Sequence, residues 1–256
     1  MSTPPGDFDA LHVATLNVRN FADRWDERLP LLLADMRALQ PDLIGLQEVI
    51  FPLQQDRLMG AAGAAAYRTL RGDPEEPEIG NSLLVQVRLP VSNVKRLELG
   101  EGRYAIGATL ELASGAHVRA VVTHLHHVVA ERETRATQVG VLEAWLDDGS
   151  GHDAAVVIGD FNAEPSEPAY ARMLAAGFRS AYVEVNRAEP AVTWPSGLQP
   201  PAPGNYDAGC FDYIWLRGAV AAETCRLVFD RPAVDDPGLL PSDHFGLAAR
   251  LRIGGA

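Results

Sequence analysis

The chain has 256 residues, of which 47% are hydrophobic and 22% are charged. This length is enough for one α/β domain with one or two cores, and the composition is too apolar for an intrinsically disordered chain. The formal net charge is −12 and lysine is nearly absent, which argues against a protein that binds DNA by general attraction to its phosphates.

The first fifth of the chain predicts a strand, a helix and a second strand. Residues Leu11–Asn17 alternate in the manner of a strand with one buried face. Leucine and methionine then recur at helical spacing from Leu29 to Leu39, just before Gln40-Pro41, where proline favours the end of a helix. The short apolar run Asp42–Gln47 is typical of a buried strand.

The middle of the chain predicts a meander of strands. Turn residues separate four strand-like runs, namely Asn81–Val87, Val91–Leu99, Tyr104–Leu112 and His117–Val122. Because no run is separated from the next by enough residues for a crossover helix, we expect antiparallel pairing.

A helix over Glu131–Asp148, a buried strand over Ala154–Gly159 and a shorter helix near Pro168–Ala176 come next. Two segments dense in turn residues, Gly72–Glu78 and Pro195–Gly209, predict loops rather than interdomain linkers. This mixture favours sheets packed face to face with helices outside. We expect a single domain over residues 1–256, with residues 1–9 as a flexible N-terminus.

No apolar run approaches the roughly 18 residues that a membrane-spanning helix needs, and Met1–Asp7 lacks the basic and apolar regions of a signal peptide. We therefore expect a cytoplasmic protein without membrane insertion, acting as a monomer. Cys210 and Cys225 are the two cysteines, and they lie in no CxxC or metal-ligand spacing, which indicates ordinary thiols.

Asn17 and Glu48 each follow an apolar strand-like run. A single glutamate at such a position is more often a solvated loop residue than a functional one. The segment Gly159–Asn162 is more informative, because it places Asp160 and Asn162 two residues apart on the same side of the chain. An Asx turn would explain this pair, but so would a phosphate site in which one group handles a proton and the other donates a hydrogen bond.

Asp243 and His244 precede the apolar run Phe245–Leu251. The pair could cap a strand or face solvent. Alternatively, the carboxylate can bind a hard cation and the imidazole can carry or orient a proton near neutral pH.

Six short segments occur in the order and approximate spacing of the endonuclease/exonuclease/phosphatase superfamily. They are Asn17, Leu46-Gln47-Glu48, Thr123-His124-Leu125, Gly159–Asn162, Phe211–Ile214 and Ser242-Asp243-His244. The resemblance covers Leu11–Leu251, and its most specific segments are GDFN and SDH. It implies a four-layered α/β sandwich, in which two central mixed β-sheets are flanked by helices.

The resemblance also implies a role for each matching residue. Glu48 resembles the principal Mg²⁺ ligand, with Asn17 beside it, Asp243 contributing directly or through water, and Mn²⁺ as a substitute for Mg²⁺. Two residues resemble groups that act on the scissile phosphate: His124 contacts it and Asn162 stabilises the transition state. Asp160 resembles the group that activates water or protonates the leaving oxygen, and Asp212 the partner that orients His244. Whether Asp160 or His244 takes the proton from water stays open.

Three further residues are candidates for substrate binding. Asn81 and Arg103 resemble family positions in and before strands, and Trp194 lies in the loop where family members build substrate contacts. Gln86 stands where many family members have Ser followed by Arg, and Phe211 precedes Asp212 where the nuclease branch often has Arg. Both departures weigh against a nucleic-acid substrate.

Two alternatives remain to be weighed. The His124-Leu125-His126 spacing is typical of zinc hydrolases, but Val128-Val129 stands where their motif continues to an Asp-His pair. On that basis we expect one of His126 and His127 to line the cleft rim and the other to be structural. A non-catalytic binding protein with the same fold is the second alternative, although each implied site position carries the expected residue.

The expected function is therefore metal-dependent hydrolysis of a phosphodiester or phosphomonoester by in-line attack of an activated water. A small-molecule, nucleotide or lipid head-group substrate is favoured over duplex DNA, and a nuclease acting on RNA or DNA is the alternative within the enzyme hypothesis.

Overall fold

A computed structural model describes residues 9–50, 55–62, 67–71, 79–149, 151–201 and 207–254. The predicted loop Gly72–Glu78 and nearly all of the predicted N-terminal segment 1–9 lie outside these residues. Residues 202–206 of the predicted loop Pro195–Gly209 also lie outside them.

Strands and helices follow one another along the described residues in close agreement with the apolar pattern. The strands are β1 (Asp9–Asn17), β2 (Leu43–Ile50), β3 (Tyr67–Leu70), β4 (Ile79–Gln86), β5 (Val91–Gly100), β6 (Arg103–Glu111), β7 (His117–His124), β8 (Ala154–Asp160), β9 (Arg179–Ser180), β10 (Asp212–Gly218), β11 (Val220–Val228) and β12 (Gly246–Ile253). The helices are α1 (Trp25–Leu39), α2 (Gln55–Ala62), α3 (Arg132–Leu146), α4 (Pro168–Ala175) and α5 (Ala181–Asn186).

The strands form two six-stranded sheets. Sheet A has the order β11-β12-β1-β2-β4-β3, and sheet B has the order β5-β6-β7-β8-β10-β9. Each sheet contains one parallel pair, β1 with β2 in sheet A and β7 with β8 in sheet B, while its other neighbours are antiparallel. The carboxyl ends of each parallel pair therefore lie at the same edge of their sheet.

The largest apolar core lies between the two sheets, where Leu43 and Leu247 of sheet A pack in one cluster with Val122 and Ile158 of sheet B. Gly45 permits this approach, because a Cβ there would lie 2.8 Å from side-chain atoms of Val122 and Ile158. Each buried aliphatic side chain of this kind contributes about 1.5–3 kcal/mol relative to an exposed one.

Helices cover the outer faces of both sheets. Leu32 and Met36 of α1 pack on sheet A, and Val139 of α3 and Met173 of α4 pack on sheet B. The resulting order of helices, sheet, sheet and helices confirms the four-layered α/β sandwich with two mixed sheets. No helix among the described residues is long and apolar enough to cross a membrane.

The four runs of the predicted meander are strands with antiparallel neighbours, but they do not form one sheet. β4 pairs with β2 and β3 in sheet A, whereas β5, β6 and β7 pair with one another in sheet B. The pattern of each run identifies a strand, but both sheets bury one face in the same core, so the pattern does not say which sheet a strand joins.

Candidate active site

Sheet A places three groups of polar residues at one edge. Asn17 ends β1, Glu48 lies near the end of the parallel neighbour β2, and Asp243 and His244 precede the first residue of β12, which is antiparallel to β1. A strand end and the start of its antiparallel neighbour meet at the same edge. These residues are therefore brought together although more than 200 positions separate Asn17 from His244 in the chain.

Sheet B contributes three residues to the same place. His124 ends β7 and pairs in register with Asp160, which ends β8. Asp212 begins β10 and pairs in register with Asp160 from the other side. Asp160 thus lies between a histidine and a second carboxylate, and all three are buried.

The backbone at Glu48 is in the left-handed region, with φ of 58°, where the pairing of β2 with β4 is interrupted between Leu46 and Val49. Such a conformation is unfavourable for a residue with a side chain and is found where the surrounding structure enforces it. Both carboxylate oxygens of Glu48 are held by amides: Asn17 Nδ2 donates to Oε1 at 3.2 Å and Asn20 Nδ2 donates to Oε2 at 2.9 Å.

Asn17 links the two sheets at the site. Its Nδ2 also donates to Oδ2 of Asp160 at 3.1 Å, while its Oδ1 accepts a hydrogen bond from the backbone N–H of Arg19 at 3.0 Å. The side-chain orientation is therefore fixed by both the nitrogen and the oxygen of the amide, and Glu48 and Asp160 accept hydrogen bonds from the same amide nitrogen.

The turn after β8 needs glycine at position 159. Its φ is 143°, and a Cβ there would lie 1.9 Å from the carbonyl oxygen of Thr123. The chain then turns so that the backbone N–H of Asn162 donates to Oδ1 of Asp160 at 2.9 Å, with φ of 49° at Asn162. Asn162 Nδ2 donates one hydrogen bond to the carbonyl of Leu125 at 3.1 Å, and its second N–H has no acceptor among the described residues, so it can donate to another group.

The environment of Asp160 favours its protonated form. Burial, reinforced by the negative charge of Asp212, raises the pKa of Asp160 to about 7. A carboxyl group with such a pKa can either take up or release a proton near neutral pH.

The pKa of His244 is raised as well, so its charged form is favoured. Its Nδ1 lies 2.9 Å from Oδ2 of Asp212, and its Nε2 lies 3.8 Å from Oδ2 of Asp160. Burial disfavours the charged ring, but the carboxylates of Asp212 and Asp160 outweigh it and raise the pKa of His244 to about 10. Thr193 supports this arrangement, because its hydroxyl oxygen accepts a hydrogen bond from the backbone N–H of Asp212 at 3.2 Å.

His124 is uncharged at neutral pH. Burial, together with the positive charges of Arg103 and His244, holds the pKa of His124 well below its usual range. Its Nε2 lies 3.4 Å from Oδ2 of Asp160. The site therefore combines one cationic imidazole and one neutral imidazole around a single carboxyl group.

Asp243 is held by side chains from two distant segments. Trp194 Nε1 donates to its Oδ2 at 3.1 Å, and Arg19 Nε lies 3.5 Å from the same oxygen. Arg19 also forms an ion pair with Asp23 at 2.9 Å. Trp194, expected to bind substrate, thus also positions the predicted metal ligand Asp243.

Arg19 and Asn20 are site residues that sequence reasoning missed. Their loop is held by Arg28, whose fully buried guanidinium donates to the backbone carbonyls of Val18 at 3.1 Å and Pro241 at 2.8 Å. The sequence feature that could have identified them is their position just after Asn17, the asparagine that ends β1.

The polar groups surround an open cavity of about 680 Å³. Six of the eight predicted catalytic and metal-binding residues line it, and the other two, Asn17 and Asp212, lie behind it. All three of the predicted substrate-binding residues also line it. Among the latter, Asn81 donates through Nδ2 to the carbonyl of Tyr104 at 2.7 Å, and Trp194 contacts Phe211 edge to face.

His126 and His127 differ in environment. His126 is buried, and its Nε2 lies 2.8 Å from Oε2 of Glu131. His127 lies at the cavity, next to Arg103. This division matches the expectation that one of the two lines the rim. Among the described residues, the compact group of possible metal ligands is Asp160, Asp212 and His244, which does not contain the His124-Leu125-His126 motif of the zinc alternative.

The residues around the cavity fit a hard divalent cation. Glu48, Asp160 and Asp243 line it with oxygen donors, which Mg²⁺ and Mn²⁺ prefer. The cluster of Asp160, Asp212 and His244 fits a cation less well, because Nδ1 of His244 is already bonded to Asp212 and the ring is itself cationic.

Known proteins resemble this chain along most of its length. Nocturnin of Rattus norvegicus is 26% identical over an alignment of 246 positions, which covers 87% of this chain and 56% of that protein. The chain thus spans little more than half the length of this curated relative.

Solved structures share the fold. An endonuclease/exonuclease/phosphatase from Bacteroides vulgatus has a TM-score of 0.79 at 22% identity, covering 96% of this chain and 100% of that one. The human Nocturnin catalytic domain with bound sulfate has a TM-score of 0.75 at 24% identity and covers 97% of both chains. TDP2 of D. rerio, in complex with a single-stranded DNA product, has a TM-score of 0.78 at 16% identity and covers 94% of this chain and 98% of that one.

At these identities the structural neighbours establish the fold alone. The family itself is established by a family model, described as the endonuclease/exonuclease/phosphatase family, which matches residues 14–244 and so contains all the residues of the site described above. The chain belongs to the endonuclease/exonuclease/phosphatase family, as its six motifs predict.

Proposed function

We propose that the protein is a phosphoesterase that depends on a divalent cation, with Mg²⁺ as the preferred ion and Mn²⁺ as a substitute. The observation that carries the proposal is an open cavity lined by Glu48, Asp160 and His244, with the buried carboxylate of Asp212 bonded to His244. It combines a carboxyl group whose pKa is about 7 with an imidazole whose pKa is about 10. A carboxyl group that titrates near neutral pH beside an imidazole that stays protonated there is typical of acid–base chemistry.

Glu48, Asn17 and Asp243 would hold the cation. A bound divalent cation would polarise a phosphoryl oxygen and offset the charge that develops during attack. Asn17 and Asn20 keep the carboxylate of Glu48 in one orientation, and Trp194 and Arg19 do the same for Asp243. Such partners of a ligand set its geometry and affinity.

Proton transfer would involve Asp160. Its carboxylate form can accept a proton from the attacking water, and its acid form can donate one to the leaving oxygen. His244 is charged at neutral pH and can stabilise the negative charge on the phosphoryl oxygens, as can the free N–H of Asn162 and the neutral ring of His124. Water adds to phosphorus and gives up a proton, the ester P–O bond breaks, and the leaving oxygen takes up a proton. The products are an alcohol and inorganic phosphate from a monoester, or an alcohol and a phosphomonoester from a diester.

A small-molecule, nucleotide or lipid head-group substrate is favoured. A cavity of about 680 Å³ matches the volume of sites for small ligands. Glu164, Glu167 and Asp207 line it together with the catalytic groups, and the net charge of −12 disfavours duplex DNA. A nuclease acting on RNA or DNA is the alternative, for which Trp194 and Phe211 offer aromatic surfaces near the site.

A substrate panel with Mg²⁺ tests the proposal. It should contain phosphomonoesters, phosphodiesters, phospholipids, single-stranded oligonucleotides and duplex DNA, with phosphate release or strand cleavage as the readout. We expect turnover of at least one small phosphoester and its loss in Asp160→Asn. Specific ligand binding without turnover of any substrate would instead support a binding protein with the same fold. The cytoplasmic location and monomeric state are part of the same proposal.

A further inference from the structure

Arg103 differs from the other cationic side chains that line the cavity. Among the described residues, Arg19 pairs with Asp23 at 2.9 Å, Arg135 with Glu167 at 2.6 Å and His244 with Asp212 at 2.9 Å. The guanidinium of Arg103 has no carboxylate within 4.0 Å in the part of the chain that the structure describes, although the side chain is half-buried.

An unpaired cation in a partly desolvated position is costly for a folded protein. Burial lowers the pKa of Arg103, and the negative charges of Asp160 and Glu48 only partly oppose this effect. The group still remains charged near neutral pH, because an arginine does not lose its proton there. A ligand anion is the counter-charge that this position lacks.

The partner that Arg103 does have is His127, whose Nδ1 lies 2.9 Å from Nη2 of Arg103. A guanidinium can only donate, so Nδ1 must accept, and the proton of the neutral ring then lies on Nε2. Partial burial of the ring, together with the charges of Arg103 and His126, lowers the pKa of His127, which agrees with a neutral ring. The pair therefore offers guanidinium N–H groups and an imidazole N–H.

Sheet topology places Arg103 and His127 beside the catalytic residues and nearer the mouth of the cavity. Arg103 begins β6, which is antiparallel to β7, and His127 lies three residues beyond the end of β7 at His124. His127 is exposed, whereas His124 and Asp160 are buried. An anion that contacts both members of the pair would thus lie nearer the cavity mouth than the groups that act on the scissile ester.

We propose that Arg103 and His127 form a subsite for a second phosphate group of the substrate, separate from the phosphoester that is cleaved. This inference rests on the proposed function and narrows its substrate class to small phosphoesters that carry a further phosphate. The exposed side chains of Ile79 and Val129 flank the cavity and supply apolar surface for the rest of such a molecule.

Competitive inhibitors that are not hydrolysed test the subsite. Hydrolysis of p-nitrophenyl phosphate at fixed free Mg²⁺ would be inhibited by methylphosphonate and by a series of diphosphonates in which one to four carbons separate the two groups. We expect one diphosphonate to bind the wild-type protein at least about tenfold more tightly than methylphosphonate, the size expected for an added hydrogen bond to a charged group.

The variants are His127→Ala and Arg103→Lys, with His117→Ala as the control at the far end of β7. Both cavity variants should lose most of the preference for the diphosphonate, whereas the control should keep it. Equal weakening of methylphosphonate and the diphosphonate would overturn the proposal, because the pair would then hold the reacting phosphoryl group. A wild-type protein that prefers no diphosphonate would overturn it as well.

Direct calorimetric titration of the same inhibitors in Mg²⁺ separates this inference from the proposed function. If no phosphoester is hydrolysed, the proposed function fails. Tight diphosphonate binding that depends on Arg103 and His127 would then still establish the subsite, and its absence would exclude it.

Discussion

The imidazole of His244 and the buried carboxylate of Asp212 form a hydrogen bond of 2.9 Å between residues 32 positions apart in the chain. On the other side of the ring, Oδ2 of Asp160 lies 3.8 Å from Nε2. The same histidine therefore faces one carboxylate that keeps it protonated and another that is itself easily protonated. This relationship is the physical basis for assigning charge stabilisation to His244 and proton transfer to Asp160.

Replacing Asp212 with asparagine should lower the pKa of His244, because it removes a carboxylate that holds the proton on the ring. The wild-type pKa of about 10 is raised from 6.5, so the charged form is present below it and is lost as the pH rises through it. We expect Asp212→Asn to move the alkaline loss of kcat to lower pH and to reduce kcat by about 10² to 10⁴ at neutral pH. A pH profile of kcat that keeps its alkaline limb in Asp212→Asn would contradict this role.

Glu48→Gln tests the cation site. The neutral amide keeps the shape of the side chain but removes the charge that attracts a cation, so the half-saturating Mg²⁺ concentration should rise at least about tenfold, with little change in melting temperature. Glu111→Gln, an exposed substitution at the end of β6, is the matched control and should titrate as the wild type does. An unchanged half-saturating Mg²⁺ concentration in Glu48→Gln would contradict the assignment of Glu48 as the principal metal ligand.

Asn20→Ala tests whether the hydrogen bond from Asn20 holds the carboxylate of Glu48 in place for metal binding. Loss of the 2.9 Å hydrogen bond to Oε2 should free the carboxylate and weaken metal binding by about tenfold, the lower end of the range for such partners. Calorimetric titration with Mn²⁺ measures this without any assay of activity. Asn186→Ala, which removes an asparagine bonded to the carbonyls of Tyr182 and Cys225 on α5 and β11, is the control for general loss of stability.

Much of the fold and of the candidate site could be predicted from local patterns. The strand-end positions of Asn17 and Asp160 follow from apolar runs that stop at a polar residue, and the motif order supplies the fold. Asn20 could not be predicted in this way, because its position depends on backbone angles with positive φ and on the contact of Arg28 with Pro241, 213 positions away. Tertiary contacts of this kind leave no periodic signal.

Short elements were missed for a related reason. Helix α5 has six residues and strand β9 has two, so neither completes enough periods to be recognised. Both are formed because the neighbouring strand β10 and the core position of Ala181 hold them. Which of the two sheets each strand joins also depends on long-range packing.

Gly159→Ala should be among the most destabilising single substitutions. The new Cβ would lie 1.9 Å from the carbonyl oxygen of Thr123, so the parallel pairing of β7 and β8 would have to shift. We expect a loss of more than about 3 kcal/mol in the free energy of unfolding, measured by urea denaturation. Gly115→Ala is the control: its φ is 86°, but no atom lies within 4 Å of the added Cβ, so backbone strain of about 1 kcal/mol is expected.

The coupling between Asp160 and His244 gives the most demanding test of the site. Each residue lies at or next to a strand end around the same cavity, and Nε2 of His244 lies 3.8 Å from Oδ2 of Asp160. If they act on one phosphoryl group, Asp160→Asn and His244→Ala should each reduce kcat by about 10² to 10⁴, since each removes a proton-transfer or charge-stabilising group.

The double variant should then lose far less than the product of the two single losses, because the second substitution removes a group whose partner is already missing. All three variants should keep the far-ultraviolet circular dichroism of the wild type, which separates lost chemistry from lost folding. Fully multiplicative losses in kcat would show that the two residues act independently. Near-normal turnover of either single variant would remove that residue from the mechanism. If His244→Ala is that variant, His244 is a structural partner of Asp212.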